Sequence, residues 1–251
     1  MSGTMYPMDM YAQILGADPM RLLTRLYDNP FPPENRRVVV DAGVSTAYRD
    51  RSPAAFDAIA ARVRAVADAT DGNVAAFFPS YDILESVRSR LGGIERRLVV
   101  EERGMGKDER ERLVGLLRRS AGGGLLLGVQ GGSLSEGYDF VDGDVNLIRT
   151  VIVVGVPYER PTLEAKALEA FYERTFGRWK GRLYAAEAPA ARRMLQAAGR
   201  GIRAPHHQAL IVLMDHRFGR APLTRCYPPD FRFRMVPDVG IEARLISNGR
   251  A

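Results

Sequence analysis

The chain is 251 residues long, 46 % apolar, and carries a formal charge of +6, which is room for one large α/β domain with a sizeable core. Its one cysteine, Cys226, excludes an internal disulfide and any cysteine-built metal or iron–sulfur centre within these residues. No apolar run reaches the roughly 18 residues of a membrane span and the N-terminus lacks the pattern of a signal peptide, so a cytoplasmic setting is expected (nuclear in a eukaryote), with no membrane partner.

Residues 1–7 begin abruptly. Ser2-Gly-Thr4 reads as the tight end of an earlier element, so the chain is expected to be part of a longer protein. A short helix over 8–15 follows Pro7, and three prolines (Pro30, Pro32, Pro33) make 28–35 a loop. The β-branched stretch 37–40 predicts a strand. Ser52 caps a helix over 53–69 that puts Phe56, Ile59, Ala60, Val63 and Val66 on one face. The apolar run 74–78 is a strand, and Ser80 caps a helix over 81–91 that Gly92-Gly93 stops. Next come a strand at 98–100, a helix over 107–119, a break at Gly122-Gly123-Gly124 and a strand at 125–129. A polar, glycine-rich loop covers 130–143. The apolar strand 150–155 is continuous, as expected when both its faces are covered. Pro161 opens a helix to 176, and Pro189 stands in the first turn of another. A buried strand at 209–214 precedes residues 217–251, whose four prolines predict an irregular tail packed on the domain. Strands alternating with helices imply a single α/β domain over 1–251, with a mostly parallel sheet covered by helices on both faces. Ligands of such sheets bind outside the carboxyl ends of the strands, which selects the loops after Phe78, Val100, Val129 and Gly155.

The positive charge is local. Residues 171–203 hold eight Lys/Arg and two acids, a net +6 equal to that of the whole chain, and a localised excess points to a polyanion partner. The segment ends in Gln196-Ala-Ala-Gly-Arg-Gly-Ile-Arg203. Spacings of three and four residues would put Gln196, Gly199, Arg200 and Arg203 on one helix face, where two guanidiniums form forks suited to phosphate oxygens; the alternative is a solvated basic helix. In the loop after Val129, Gly131, Gly132 and Gly137 free backbone N–H groups for an anion, and Ser133 and Ser135 add hydroxyls. Glu136 and Asp139 would orient the arginines or a metal-bound water; an ordinary polar turn is the other reading. Ser80 is a helix cap that can also hold a backbone phosphate. His206-His207 are expected at the surface, and His216 as structural. Trp179 and Tyr184 are expected to pack in the core, with base stacking as the alternative. No G-x-x-x-x-G-K-[ST] occurs and no metal site is expected, so the chain reads as half of a nucleotide site.

The order of these motifs resembles the second helicase lobe of the XPD-like DNA helicases of superfamily 2. Residues 2–11, SGTMYPMDMY, resemble the segment that joins the two lobes; Phe77-Phe-Pro-Ser-Tyr81 resembles motif IV; and Val100-Glu101 resembles the following strand end. Ser135-Glu-Gly-Tyr-Asp-Phe140 resembles motif V, Gly155-Val-Pro-Tyr158 the strand end after it, Gln196 to Arg203 motif VI, and Asp215-His-Arg-Phe218 the close of the last strand. The resemblance implies a RecA-like three-layer sandwich, ATP and Mg²⁺ shared with a first lobe, and 5′-to-3′ movement on single-stranded DNA in repair, with repair-complex subunits as possible partners. It implies a 4Fe-4S cluster in the first lobe only. It puts Arg200 and Arg203 on the γ-phosphate, with Arg203 as the finger, and Gln196 and Gly199 on the same face. Glu136, Gly137 and Asp139 would couple nucleotide to DNA, and Ser80, Tyr81, Ser133 and Ser135 would touch the DNA backbone. Many members carry basic residues where this chain has Gly131 and Ser133. A free-standing DNA- or partner-binding module is the rival expectation.

Overall fold

The computed structural model of the chain describes residues 5–120 and 123–240; Ser2-Gly-Thr4, Gly122 and the end of the tail lie outside them. In chain order the elements are α1 (Met8–Ile14), β1 (Arg36–Asp41), α2 (Pro53–Ala69), β2 (Asn73–Phe78), α3 (Tyr81–Arg88), β3 (Arg97–Val100), α4 (Lys107–Arg118) and β4 (Gly124–Val129). A small hairpin, β5 (Val141–Asp142) and β6 (Val145–Asn146), leads to β7 (Ile148–Val154) and α5 (Leu163–Phe176). Then follow α6 (Lys180–Arg182), a π turn (Leu183–Glu187), α7 (Ala188–Ala198), β8 (Ala209–Met214) and β9 (Arg234–Val236).

The main sheet runs β3-β4-β2-β7-β8-β1-β9, every neighbouring pair parallel. Alternation along the buried strands sorts their side chains between two layers. Ala75, Phe77, Leu126, Val151, Val153, Ile211 and Leu213 meet Val114 and Leu117 of α4 and Met194 and Ala197 of α7. Val74, Ala76, Phe78, Leu125, Leu127, Ile152 and Val154 meet Ile59 and Val63 of α2 and Ile83 and Val87 of α3. These are the three layers expected of a RecA-like α/β fold.

Three local expectations change. The helix assigned to start at Pro161 starts at Leu163, because Thr162 Oγ1 accepts from the N–H of Ala165 at 3.2 Å and caps it. None of its residues is buried, so α5 lies outside the layers, resting on α6 and the π turn. Upstream of Pro189 the chain is already helical, as α6 and the π turn. Proline lacks an N–H and crowds the carbonyl one turn back, and a widened π turn accommodates both. The stretch from Arg217, expected to be irregular, supplies β9, which pairs with β1 through Val39↔Arg234, Val40↔Met235 and Asp41↔Val236. Asp41, fully buried, anchors it by accepting from the N–H of Val239 at 3.1 Å and from Arg62 Nε at 3.0 Å. Three residues are too few to show a period in sequence.

Gly155 closes β7 with φ +69°, and a Cβ there would lie 2.1 Å from Thr46 Oγ1. Thr46 is held at both ends: its N–H donates to Asp215 Oδ2 at 2.8 Å and its Oγ1 accepts from Arg217 Nη2 at 3.0 Å. Gly155→Ala is therefore expected to cost about 1–3 kcal/mol from backbone strain, before the collision is added. A urea titration checks this: the midpoint falls and the slope stays unchanged.

Candidate functional site

β4 and β7 are parallel to the strand between them. The chain from Gln130 to Leu147 must therefore travel from the carboxyl end of one to the amino end of the other. It crosses the α4/α7 face, burying Leu134 and Phe140 completely. α7 spans the same face. From its middle, Arg193 Nη1 donates to the carbonyl of Pro157, 3.3 Å away, just beyond β7. At its C-terminal end, α7 gives way to a 3-10 turn, Gly199–Gly201, that leads toward the amino end of β8. Two crossing segments thus join both ends of the sheet.

The helix carrying Gln196 stops at Ala198, so Arg203 does not share its face. Ile202 is extended (φ −132°, ψ 124°) and redirects the chain. The two arginines meet instead at one carboxylate: Asp139 Oδ1 lies 3.4 Å from Arg200 Nη1 and 2.7 Å from Arg203 Nη2. Their environments differ. Arg200 is 8 % exposed; its Nε donates to the carbonyl of Ser135 at 2.9 Å and its Nη1 to that of Tyr138. Burial lowers its pKa from the ordinary guanidinium value, as does the charge of Arg203, and Asp139 and Glu136 oppose the shift. Arg203 keeps a partly exposed side chain beyond its contact with Asp139.

Arg200, Arg203, Gln196 and Gly199 line a cleft of about 750 Å³, together with Leu22, Leu26 and Phe31 of the segment before β1. Gln196 Oε1 is buried there without a partner. A Cβ on Gly199 would meet nothing within 4 Å, so its open side comes from the cleft rather than from close backbone packing. The cleft touches Arg36, the first residue of β1, so the arginines sit away from the strand carboxyl ends. The crossing loop carries the site down the sheet.

At the carboxyl ends, Ser80 Oγ accepts from the N–H of Ile83 at 3.4 Å, and the Arg103 guanidinium lies 4.7 Å from the Tyr81 ring centre. Burial, with Glu101 nearby, raises the Tyr81 phenol. Ser133 Oγ donates to Glu101 Oε1 at 2.9 Å. Ser135 is fully buried, its hydroxyl donating to the Gly132 carbonyl at 3.2 Å, so it presents nothing to a ligand. Glu136 and Gly137 are exposed, Gly137 at φ +78°. Where a side chain at 131 would stand, Arg193 packs its stem, 3.5 Å from a built Cβ. Trp179, expected in the core, is 62 % exposed with the Lys180 ammonium 5.3 Å from its ring; Tyr184 is buried as expected. Tyr158 Oη donates to Glu187, which also accepts from Arg182 Nε at 2.9 Å, tying the loop after β7 to the π turn.

Three side chains make contacts here that the sequence did not announce. Glu101, 2 % exposed, accepts from the N–H groups of Val129 at 2.9 Å and Leu134 at 3.4 Å as well as from Ser133. Asn146 Nδ2 donates to the carbonyls of Arg200 at 3.0 Å and Gly201 at 2.7 Å. His207 is buried, whereas its neighbour His206 is exposed as expected. The acid that directly follows the apolar stretch 98–100 was the one available signal. Glu101→Gln would turn an NH₂ toward an N–H or hydroxyl donor, leaving a buried group unpaired at a cost of about 1–3 kcal/mol. Hydrogen exchange over 129–139 is expected to quicken more than exchange in β8.

Residues 63–231 match the helicase C-terminal domain family. The chain is 32 % identical over 262 residues to an ATP-dependent DNA helicase chl1 of Neosartorya fischeri, covering 87 % of this chain and 30 % of that protein. It is 28 % identical over 264 residues to a putative ATP-dependent DNA helicase DDX11-like protein 8 of Homo sapiens, covering 90 % and 28 %. It therefore spans less than a third of the length of these relatives. A solved structure titled XPD_Helicase superposes with a TM-score of 0.72 at 24 % identity, over 94 % of this chain and 42 % of that one; at that identity the likeness speaks for the fold. Dbp5 of S. cerevisiae, bound to RNA and ADP BeF3, gives 0.54 at 17 %, over 96 % and 51 %. With the family match over most of the chain, the chain belongs to the helicase C-terminal domain family.

Proposed function

We propose that this chain is the second motor lobe of an ATP-dependent DNA helicase, which completes an ATP site begun by a first lobe. The observation that carries the reading is the pairing of an available Arg203 with a nucleotide-sized cleft. Arg200 is bonded on three sides, whereas the Arg203 side chain is about one third exposed and has one carboxylate contact. The cleft joins apolar side chains with the guanidiniums of Arg25, Arg36, Arg200 and Arg203 and the carboxylates of Asp28 and Asp230; the cationic groups suit a phosphate chain, and Gln196 Oε1, buried without a protein partner, has acceptor capacity for a ligand hydroxyl. Arg203 acts as the finger on the γ-phosphate, and Arg200 sets the loop that orients it. Asp139 holds Arg203 until phosphate competes for it. Ser80, Tyr81, Ser133 and the Arg193 beside Gly131 face single-stranded DNA at the carboxyl ends. Glu136 and Gly137, on the loop running between the two ends, carry the coupling. The phosphate-cradling residues, the Mg²⁺ ligands and any iron–sulfur cluster fall to the first lobe, and this lobe alone hydrolyses no ATP. One domain over 1–251 and contacts with repair subunits are part of the same reading.

The test is DNA-stimulated phosphate release on mixing the chain with an XPD-type first lobe. Activity confined to the mixture supports the reading. Lobes that associate yet stay inactive, with a salt-sensitive DNA affinity that Arg200→Ala and Arg203→Ala leave unchanged, would favour the free-standing binding module.

A further inference from the structure

Arg203 lies beyond the last turn of α7 and its 3-10 extension, so no helical ladder holds its backbone. Its N–H donates instead to His207 Nδ1 at 3.2 Å, and the N–H of His207 donates to the Ala204 carbonyl at 3.1 Å to close the turn. The other ring nitrogen, Nε2, lies 2.8 Å from the carbonyl of Asp144, between β5 and β6. An amide N–H only donates and a carbonyl only accepts. Nδ1 is therefore bare and Nε2 carries the proton, which defines one species, the neutral Nε2–H imidazole. His206 Nε2 is 2.9 Å from the same carbonyl, its ring edge-on to His207 at 4.6 Å. The hairpin thus buttresses the arginine turn twice, through Asn146 at residues 200–201 and through His207 at 203.

We propose that His207 is a positioning residue. Its bare Nδ1 holds the backbone of Arg203 so that the side chain, steered at its far end by Asp139, points into the cleft at a polyphosphate. The proposal rests on the reading of Arg203 as the phosphate-facing group. Nothing in the ring needs to touch the ligand. Three substitutions separate its bonds. In His207→Asn the side-chain oxygen can stand near the place of Nδ1 and keep an acceptor for Arg203. In His207→Gln the amide reaches toward Asp144 instead and leaves the Arg203 N–H without its acceptor. His207→Ala removes both.

The experiment uses the chain itself, with inorganic tripolyphosphate as the probe in calorimetry at low salt and ¹⁵N–¹H correlation spectra of the imidazoles. The spectra are expected to show His207 as the Nε2–H tautomer. Tripolyphosphate affinity should fall about ten-fold in His207→Gln and His207→Ala, the worth of one lost hydrogen bond. It should stay near wild type in His207→Asn, and all three variants should keep the wild-type circular dichroism spectrum. An Nδ1–H tautomer, a His207→Asn variant as weak as His207→Ala, or three variants that bind like wild type would each overturn the proposal. Failure of the wild type to bind tripolyphosphate overturns the phosphate reading of Arg203 and the positioning role with it; the tautomer result then separates a wrong ligand from wrong geometry.

Discussion

Arg203→Ala is expected to cut DNA-stimulated ATP hydrolysis by the assembled two-lobe protein roughly 10³- to 10⁵-fold, the usual worth of an arginine finger. Thermal stability of the chain should hardly move. The side chain is 32 % exposed and its ion-pair partner, Asp139, is 62 % exposed, and pairs this wet contribute about 0–1 kcal/mol. Arg203→Lys keeps the charge but loses the planar fork, so it should recover only a small part of the rate. Phosphate release and a melting curve on the same preparations settle the matter. A variant that retains most of the activity sinks the finger assignment.

Arg200→Ala is expected to behave in the opposite way, through the fold. Its guanidinium is buried among the carbonyls of Ser135 and Tyr138 and the Asp139 carboxylate. Removing it strands one buried and one part-buried acceptor, a buried one costing about 1–3 kcal/mol. A total near 3 kcal/mol corresponds to a melting temperature lower by about 6–12 °C for a domain of this size. Activity should fall as well, with exchange over 135–139 quickened, because the loop that presents Asp139 to Arg203 loses its clamp. If Arg200→Ala melts like wild type and only hydrolysis is lost, the buried arginine is a second finger, and its carbonyl contacts give way to phosphate in the two-lobe state.

Much of this protein was legible in its residue order. Continuous apolar runs marked β2, β4, β7 and β8, because strands covered on both faces need no polar alternation. Ser52 and Ser80 announced α2 and α3, since a hydroxyl before a helical pattern has a local task that tertiary contacts seldom override. The Gln196-to-Arg203 and Ser135-to-Phe140 motifs carried the family, through a rare combination of residue types at set spacings. What stayed hidden depends on contacts between residues far apart in the chain. A spacing argument placed Arg203 on a helix, yet the helix stops at Ala198 and the arginines converge on Asp139, some sixty positions earlier. Ser133 and Ser135 looked alike in sequence; the loop's path over the sheet gives one hydroxyl to Glu101 and buries the other. Trp179 looked like core, but α5 buries none of its residues and leaves the adjoining turn in solvent. His207 looked like surface until the β5–β6 hairpin supplied a carbonyl for it. Local order thus determined the strands, the caps and the family, because burial patterns and caps are written within a few residues. Only the tertiary structure decided which arginine is the less encumbered, because that depends on which distant carbonyls and carboxylates have already taken its hydrogen bonds.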